Sequence, residues 1–212
     1  VRVHRIEIDV DGDLTEVPEL KGIARPDLVL LNDEDLAYAK IRLDERSLAT
    51  AIAHLGDIAD PLARPLVWGA AWDMTRDGEM ATTDFVRLVL ANIGSETDSW
   101  GVTRLPAMAG MAVNFYSDPA GREALKAEWE TGLRGLLGEA AAGSDHQLAL
   151  ARAYASASAS PEPVQAILDG SIQGLTIDAD LRWTLITALA RLGELDAEAI
   201  AAEIARGNTN QG

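Results

Sequence analysis

The 212 residues are 48% hydrophobic, ample material for a packed core and too apolar for a disordered chain. Acids outnumber lysine and arginine by 34 to 18, and the net charge of −16 argues against nucleic acid or an anionic membrane surface as partner. With no cysteine, a disulfide framework, a thiolate nucleophile and a zinc ribbon are all excluded, which fits a reducing compartment.

The opening of the chain reads as strand. Val1, Val3, Ile6, Ile8 and Val10 alternate with Arg5, Glu7 and Asp9, and Asp11-Gly12-Asp13 predicts a hairpin turn into a second strand over Leu14–Leu20. Leu28–Leu31 and Ala37–Leu43 are two further strand candidates. A piece of this size is too thin to hold a core alone, so it reads as the end of a sheet domain whose remainder lies upstream.

From Asp44 the periodicity turns helical and stays so. Asp44 predicts the cap of a helix carrying Leu48, Ala51, Ile52 and Leu55, stopped at Gly56. Asp60-Pro61 opens a second helix, apolar around most of its girth, with Trp68 and Trp72 four apart, and Thr82-Thr83-Asp84 opens a third carrying Phe85, Leu88, Val89 and Ile93. Such a hairpin cannot bury itself alone and needs neighbours.

Glu96 to Tyr116 is a longer helical stretch in which Pro106 predicts a kink or break near Leu105. Asp118-Pro119 opens an amphipathic helix with Leu125, Trp129, Leu133, Leu136 and Leu137 on one side. Its Gly132, Gly135 and Gly138 mark either a close backbone approach or two weakly stable turns.

Ser144 opens the next helix, Ser160-Pro161 a short one ending at Asp169-Gly170, Asp178 or Asp180 another closed by Gly193, and Asp196 the last, stopped by Gly207. About nine helices joined by short loops predict a mainly α protein, helix pairs stacked side by side. A faint repeat agrees: a run from Arg64 to Gly78-Glu79-Met80 is echoed from Arg182 to Gly193-Glu194-Leu195.

Hydrolytic chemistry has no foothold of its own here. His4, His54 and His146 are isolated and none begins an H-E-x-x-H, the helical motif in which two imidazoles grip zinc, so each reads as a surface or packing residue. Asp9, Asp11 and Asp13 imitate a calcium loop, but Leu14 and Leu20 stand where glycine and glutamate are needed. No phosphate loop follows a strand, no G-x-S-x-G elbow exists, and the tryptophans at 68, 72, 100, 129 and 183 have the spacing of core packing. No catalytic, cofactor-binding or metal-binding residue is assigned.

The order of motifs resembles the aminopeptidase N family of zinc gluzincins. The run PDLVLLNDEDLAYAKIRLD, with Asn32 and Tyr38, is similar to the strands that follow the family's catalytic domain. ARPLVWGAAWDMTRDGEM with Arg64, then TTDFVRLVLANIGSETDSW with Glu96 and Trp100, resembles its first helical block, and DADLRWTLITALARLGELDAEAIAAEIARGNTNQG resembles later repeats of bacterial members.

The resemblance implies a β-sandwich remnant over residues 1–44 and a HEAT-like α-α superhelix over 45–212, incomplete at its C-terminal end. It implies a non-catalytic part of a cytoplasmic bacterial enzyme in which the solenoid covers the zinc site and shapes the chamber for peptide substrates. The catalytic domain, the zinc ligands and the motif that holds the substrate's amino terminus would lie upstream in the same polypeptide, so the chain alone should be inactive. Val1 in place of a start methionine, and an end at NTNQG where the family continues, fit a piece cut at both ends. No signal peptide and no run of membrane-spanning length appears, so a membrane is not an expected partner, and the negative charge sets nucleic acid aside as well.

Arg64 and Arg182 admit two readings, contact with peptide carboxylates or salt bridges and caps within the solenoid. A rival from another class is a free-standing α-solenoid scaffold whose concave surface binds a partner protein.

Overall fold

The computed structural model describes residues 2–207; Val1 and the terminal run 208–212 lie outside the described residues. Nine α-helices follow one another among them: α1 (Glu45–His54), α2 (Ala63–Arg76), α3 (Thr82–Asn92), α4 (Ser99–Met111), α5 (Arg122–Glu139), α6 (Asp145–Ala157), α7 (Pro161–Leu168), α8 (Ala179–Arg191) and α9 (Ala197–Gly207).

Local chemistry sets most of their starts. Asp44, Asp98, Ser144 and Asp178 each accept a hydrogen bond from a backbone N–H in the first turn of the helix they precede, and Asp196 accepts one from Ala199. Pro161 opens α7 at the first helical position, where its missing N–H costs nothing.

The two Asp-Pro pairs behave differently from the expected caps. Asp60 and Asp118 accept from the N–H two residues on, at Leu62 (2.9 Å) and Ala120 (3.0 Å), and so close a turn that delays α2 to Ala63 and α5 to Arg122. Thr82 lies inside α3 and donates to the Tyr116 carbonyl at 3.0 Å.

Ends are as systematic as starts. The N–H of Glu79, Ser171 and Glu194 each reaches back five residues, to Met74, Ala166 and Leu189, around glycines in the left-handed region, Gly78 (φ 77°), Gly170 (83°) and Gly193 (85°). The sequence repeat between α2 and α8 is therefore, physically, a shared way of terminating.

Pro106 does not break α4, which runs continuously past it; a buried proline merely leaves one carbonyl of the preceding turn without its helical donor. The irregularity comes later, as a π turn over Ala112–Tyr116 where Asn114 donates to the Gly110 carbonyl (2.8 Å) and Ser117 to that of Val113 (2.6 Å).

Packing sorts the helices into two layers. α1 packs on α3 and α3 on α5, while α4 packs on α6 and α6 on α8, and sequence neighbours such as α5–α6 and α7–α8 lie face to face. α2 joins the second layer through the π turn that extends α4. That alternation is an α-α superhelix, as the helical periodicity implied. Its core holds Val67, Phe85, Leu88, Leu105, Leu133 and Leu185, all fully buried between the layers.

No β-strand forms among the described residues, which departs from the expected strands at 1–10, 14–20, 28–31 and 37–43. Alternation supplies a strand's faces, but a strand exists only through a ladder to neighbouring backbone, and none of these segments has one. Gly12 does take the left-handed turn conformation (φ 67°), yet Val3, Ile8, Val10 and Leu14 remain exposed.

Residues 2–43 instead lie over α1 and α2. Arg2 bonds Asp60 at 2.7 Å, Val29 N–H donates to Ser47, and Arg42 and Lys40 reach Asp77 beyond the end of α2. Leu28, Leu30 and Ile41 rest against the core.

Candidate functional site

The motif residues Arg64 and Glu96, far apart in sequence, meet inside the molecule. Arg64 stands in the first turn of α2 at 8% exposure, and Glu96 follows a short turn after α3 at 3%. The guanidinium donates to the Glu96 carboxylate through Nε and Nη2 (3.3 and 3.1 Å), to the Ile58 carbonyl through Nη1 (2.9 Å), and to Thr97 Oγ1 (2.9 Å).

Glu96 also accepts from Trp68 Nε1 at 2.9 Å and from the backbone N–H of Thr97 and Asp98. Burial pushes this carboxyl up, but the donors from Arg64, Trp68 and the two backbone amides outweigh it and hold it below the ordinary glutamate value. Gly101 makes the geometry possible, since a Cβ there would sit 2.9 Å from Glu96 Cγ.

Arg64 is thus engaged inside the protein through all three guanidinium nitrogens. Arg182 behaves alike, gripping Glu203 of α9 through two bonds of 2.6 Å, which holds the Glu203 carboxyl below its usual range. Of the two readings open for these arginines, the internal ion pair is the one the geometry realises.

The tryptophans divide. Trp68 and Trp129 are buried core, and Trp72 packs on Phe85 (centroids 5.4 Å apart) and edge-on against Tyr116 (6.0 Å). Trp100 does not follow the core reading: it is 52% exposed, because its helix turns Gly101, Val102, Leu105 and Ala109 inward.

The histidines stay apart. His4 and His54 are exposed, the latter beside Asp57 at 3.1 Å, and His146 Nε2 lies 3.1 Å from the Ile93 carbonyl. Among the described residues no three His, Asp or Glu side chains converge on one point, so this donor set does not fit a zinc site, and no hydrolytic step is derived from it. Two open grooves, of about 590 and 500 Å3, lie on the described surface. The first is lined by Ser156 of α6 and by Asp180, Trp183 and Arg191 along α8, and the Arg191 guanidinium donates to the Ser158 carbonyl at 2.7 Å.

Comparison with known proteins now decides the family. The profile of the ERAP1-like C-terminal domain matches residues 28–212, nearly the whole chain. The chain belongs to that family. Aminopeptidase N of Streptomyces lividans is 49% identical to it over 217 residues, covering 100% of this chain. The chain spans 25% of that relative's length.

Within this ERAP1-like C-terminal domain the two remaining motif residues fall outside the buried hub. Asn32, in the left-handed region (φ 54°), clasps Ala37 through both its backbone N–H and its carbonyl at 2.8 Å each, and so rounds off the loop before Tyr38. Tyr38 itself is fully exposed.

A surface that motif reading missed is the outer side of α4 and its π turn, where Met111 and Phe115 stand exposed in line with Trp100. The available signal was charge: between Asp98 and Asp118 runs the longest stretch of this acidic chain without a carboxylate.

Proposed function

We propose that this chain is the helical C-terminal part of a zinc-dependent aminopeptidase that removes N-terminal residues from peptides. Residues 1–44 would be the last strands of a β-sandwich domain and 45–212 the helical domain, which covers the active site and shapes the substrate chamber. The observation that carries the reading is the match of the entire chain, at 49% identity, to a quarter of an aminopeptidase N.

One structural feature supports it. Val3, Ile8 and Val10 of the alternating run 3–10 stand exposed, which accords with strands that a preceding domain would cover. Among the described residues no helix is long and apolar enough to cross a membrane.

The test pairs two proteins, the 212-residue chain and the complete polypeptide encoded by the reading frame that contains it. The complete polypeptide should release an aminoacyl reporter and hold stoichiometric zinc by metal analysis, and the isolated chain should do neither. Turnover with bound zinc in the isolated chain would refute the assignment of catalysis to the upstream part. A reading frame that begins at this chain would favour the free-standing scaffold.

A further inference from the structure

We infer that Asp11 and Gly12 form a self-modification site, where the Gly12 main-chain nitrogen attacks the Asp11 side-chain carboxyl and, through a five-membered succinimide ring, rebuilds the residue as isoaspartate. This chemistry uses only the chain and water, and it is independent of the aminopeptidase reading.

The step balances without a co-reactant. A bond forms between the Gly12 nitrogen and Asp11 Cγ, and one carboxyl oxygen leaves as water with two protons, one from the carboxyl and one from the amide. Water then adds to the ring. Opening between the nitrogen and the Asp11 main-chain carbonyl carbon leaves a backbone that runs through Cγ and a free α-carboxylate, with the mass of the chain unchanged.

Such a reaction needs an unhindered nitrogen, an N–H free to ionise and a carboxyl able to take up a proton. Three Asp-Gly pairs occur in the chain, at 11–12, 77–78 and 169–170. Sterics do not separate them, since each glycine lies in the left-handed region (φ 67°, 77° and 83°) with open space where a Cβ would stand. Exposure does not either, because all six residues face water.

Hydrogen bonding does separate them. Gly78 N–H donates to the Thr75 carbonyl at 3.2 Å and Gly170 N–H to that of Ile167 at 2.9 Å, where α2 and α7 end. Their carboxylates are engaged too. Lys40 and then Arg42 donate to Asp77 and hold it below the usual aspartate range, ionised and so unable to release an oxygen as water. Asp169 accepts from Gln165 at 2.9 Å.

Asp11–Gly12 has neither restraint: among the described residues the Gly12 N–H meets no acceptor and the Asp11 carboxylate no donor. Thr15 acts instead on the peptide group that joins them. Its hydroxyl accepts from the Asp11 N–H at 3.0 Å and donates to the Asp11 carbonyl at 3.1 Å. A donor on that carbonyl draws charge out of the amide and makes the Gly12 N–H more acidic.

The experiment incubates the complete polypeptide, folded or unfolded in urea, at 37 °C and mildly acidic pH. Isoaspartate is then read peptide by peptide, by fragmentation mass spectrometry and by transfer of a labelled methyl group to the new α-carboxylate with an isoaspartyl methyltransferase and its sulfonium donor. In the folded protein Asp11 should convert about tenfold faster than Asp77 or Asp169, since each of those must first open a hydrogen bond. In urea the three rates should converge.

Asp11→Glu, which would need a six-membered ring, should silence the position, and Asp11→Asn should react faster through the same ring with loss of ammonia. Equal rates at the three pairs of the folded protein, a lead for Asp77 or Asp169, or no conversion at Asp11 while the urea sample converts, would each overturn the inference.

Discussion

Glu96 illustrates how one residue can fix the junction of three segments. Its carboxylate takes donors from α2 and from the loop it belongs to, so the entrance to α4 is locked to the start of α2. A buried pair contributes little relative to a well-packed apolar pair, but removing one partner strands a charge. Arg64→Met should cost about 3–5 kcal/mol in urea unfolding, and Arg64→Met combined with Glu96→Leu should recover most of the loss.

The same residue gives a pH prediction. Its folded carboxyl lies below its unfolded value of about 4.3, so the stabilisation it supplies is fully present above that pH and is lost as pH falls through the folded value. Asp44, lowered first by the Ser47 backbone N–H, and Asp77, lowered first by Lys40, act in the same direction. Glu96→Gln should be less stable than wild type at pH 7, and the gap should narrow on acidification below about pH 4.3, as followed by circular dichroism.

At the scale of elements, glycines that look alike in sequence separate by what surrounds them. Gly132 sits where a Cβ would come within 2.6 Å of Leu90, so α3 and α5 meet closely there, whereas Gly135 and Gly138 face open space. The spacing of three showed neither outcome, because whether a neighbour lies over a helix is a tertiary fact. Gly135→Ala, in the exposed interior of α5, should stabilise the chain by about 1 kcal/mol through helix propensity alone. Gly174 is the opposite case: it has φ 80° and a Cβ would fall 2.7 Å from Ala142 Cβ and 3.0 Å from the Gly143 amide. Gly174→Ala should therefore cost about 1–3 kcal/mol, and thermal melts of the two variants should move in opposite directions.

Helix starts were legible wherever a side chain could cap the first turn, as at Asp44, Ser144 and Asp178. They were misplaced by a few residues at Asp60 and Asp118, where the same carboxylate closes a turn first. Both uses satisfy backbone donors equally well, and only the path of the following chain chooses between them.

Across the whole molecule, stability should fall toward α9. Helices α3 and α4 lie among neighbours on several sides, whereas α9 buries no side chain among its described residues and is held by Arg182–Glu203. In a two-layer solenoid each unit is stabilised by its neighbours, so opening proceeds from the less covered end. Amide hydrogen exchange should show α9 exchanging first and α3 last, and Arg182→Met should accelerate α9 without altering α3.

The sequence by itself determined the helical class, the approximate number of helices and the caps at Asp44, Ser144, Asp178 and Asp196, because these depend on residues within a turn or two of one another. It also supplied the family resemblance, through the order of Asn32, Tyr38, Arg64, Glu96 and Trp100. Only the tertiary structure decided that Arg64 and Glu96 are spent on each other, that Trp100 faces water, and that the alternating residues of 3–10 form no ladder. Each of these depends on what backbone or side chain arrives from a distant part of the polypeptide, and local periodicity carries no record of that.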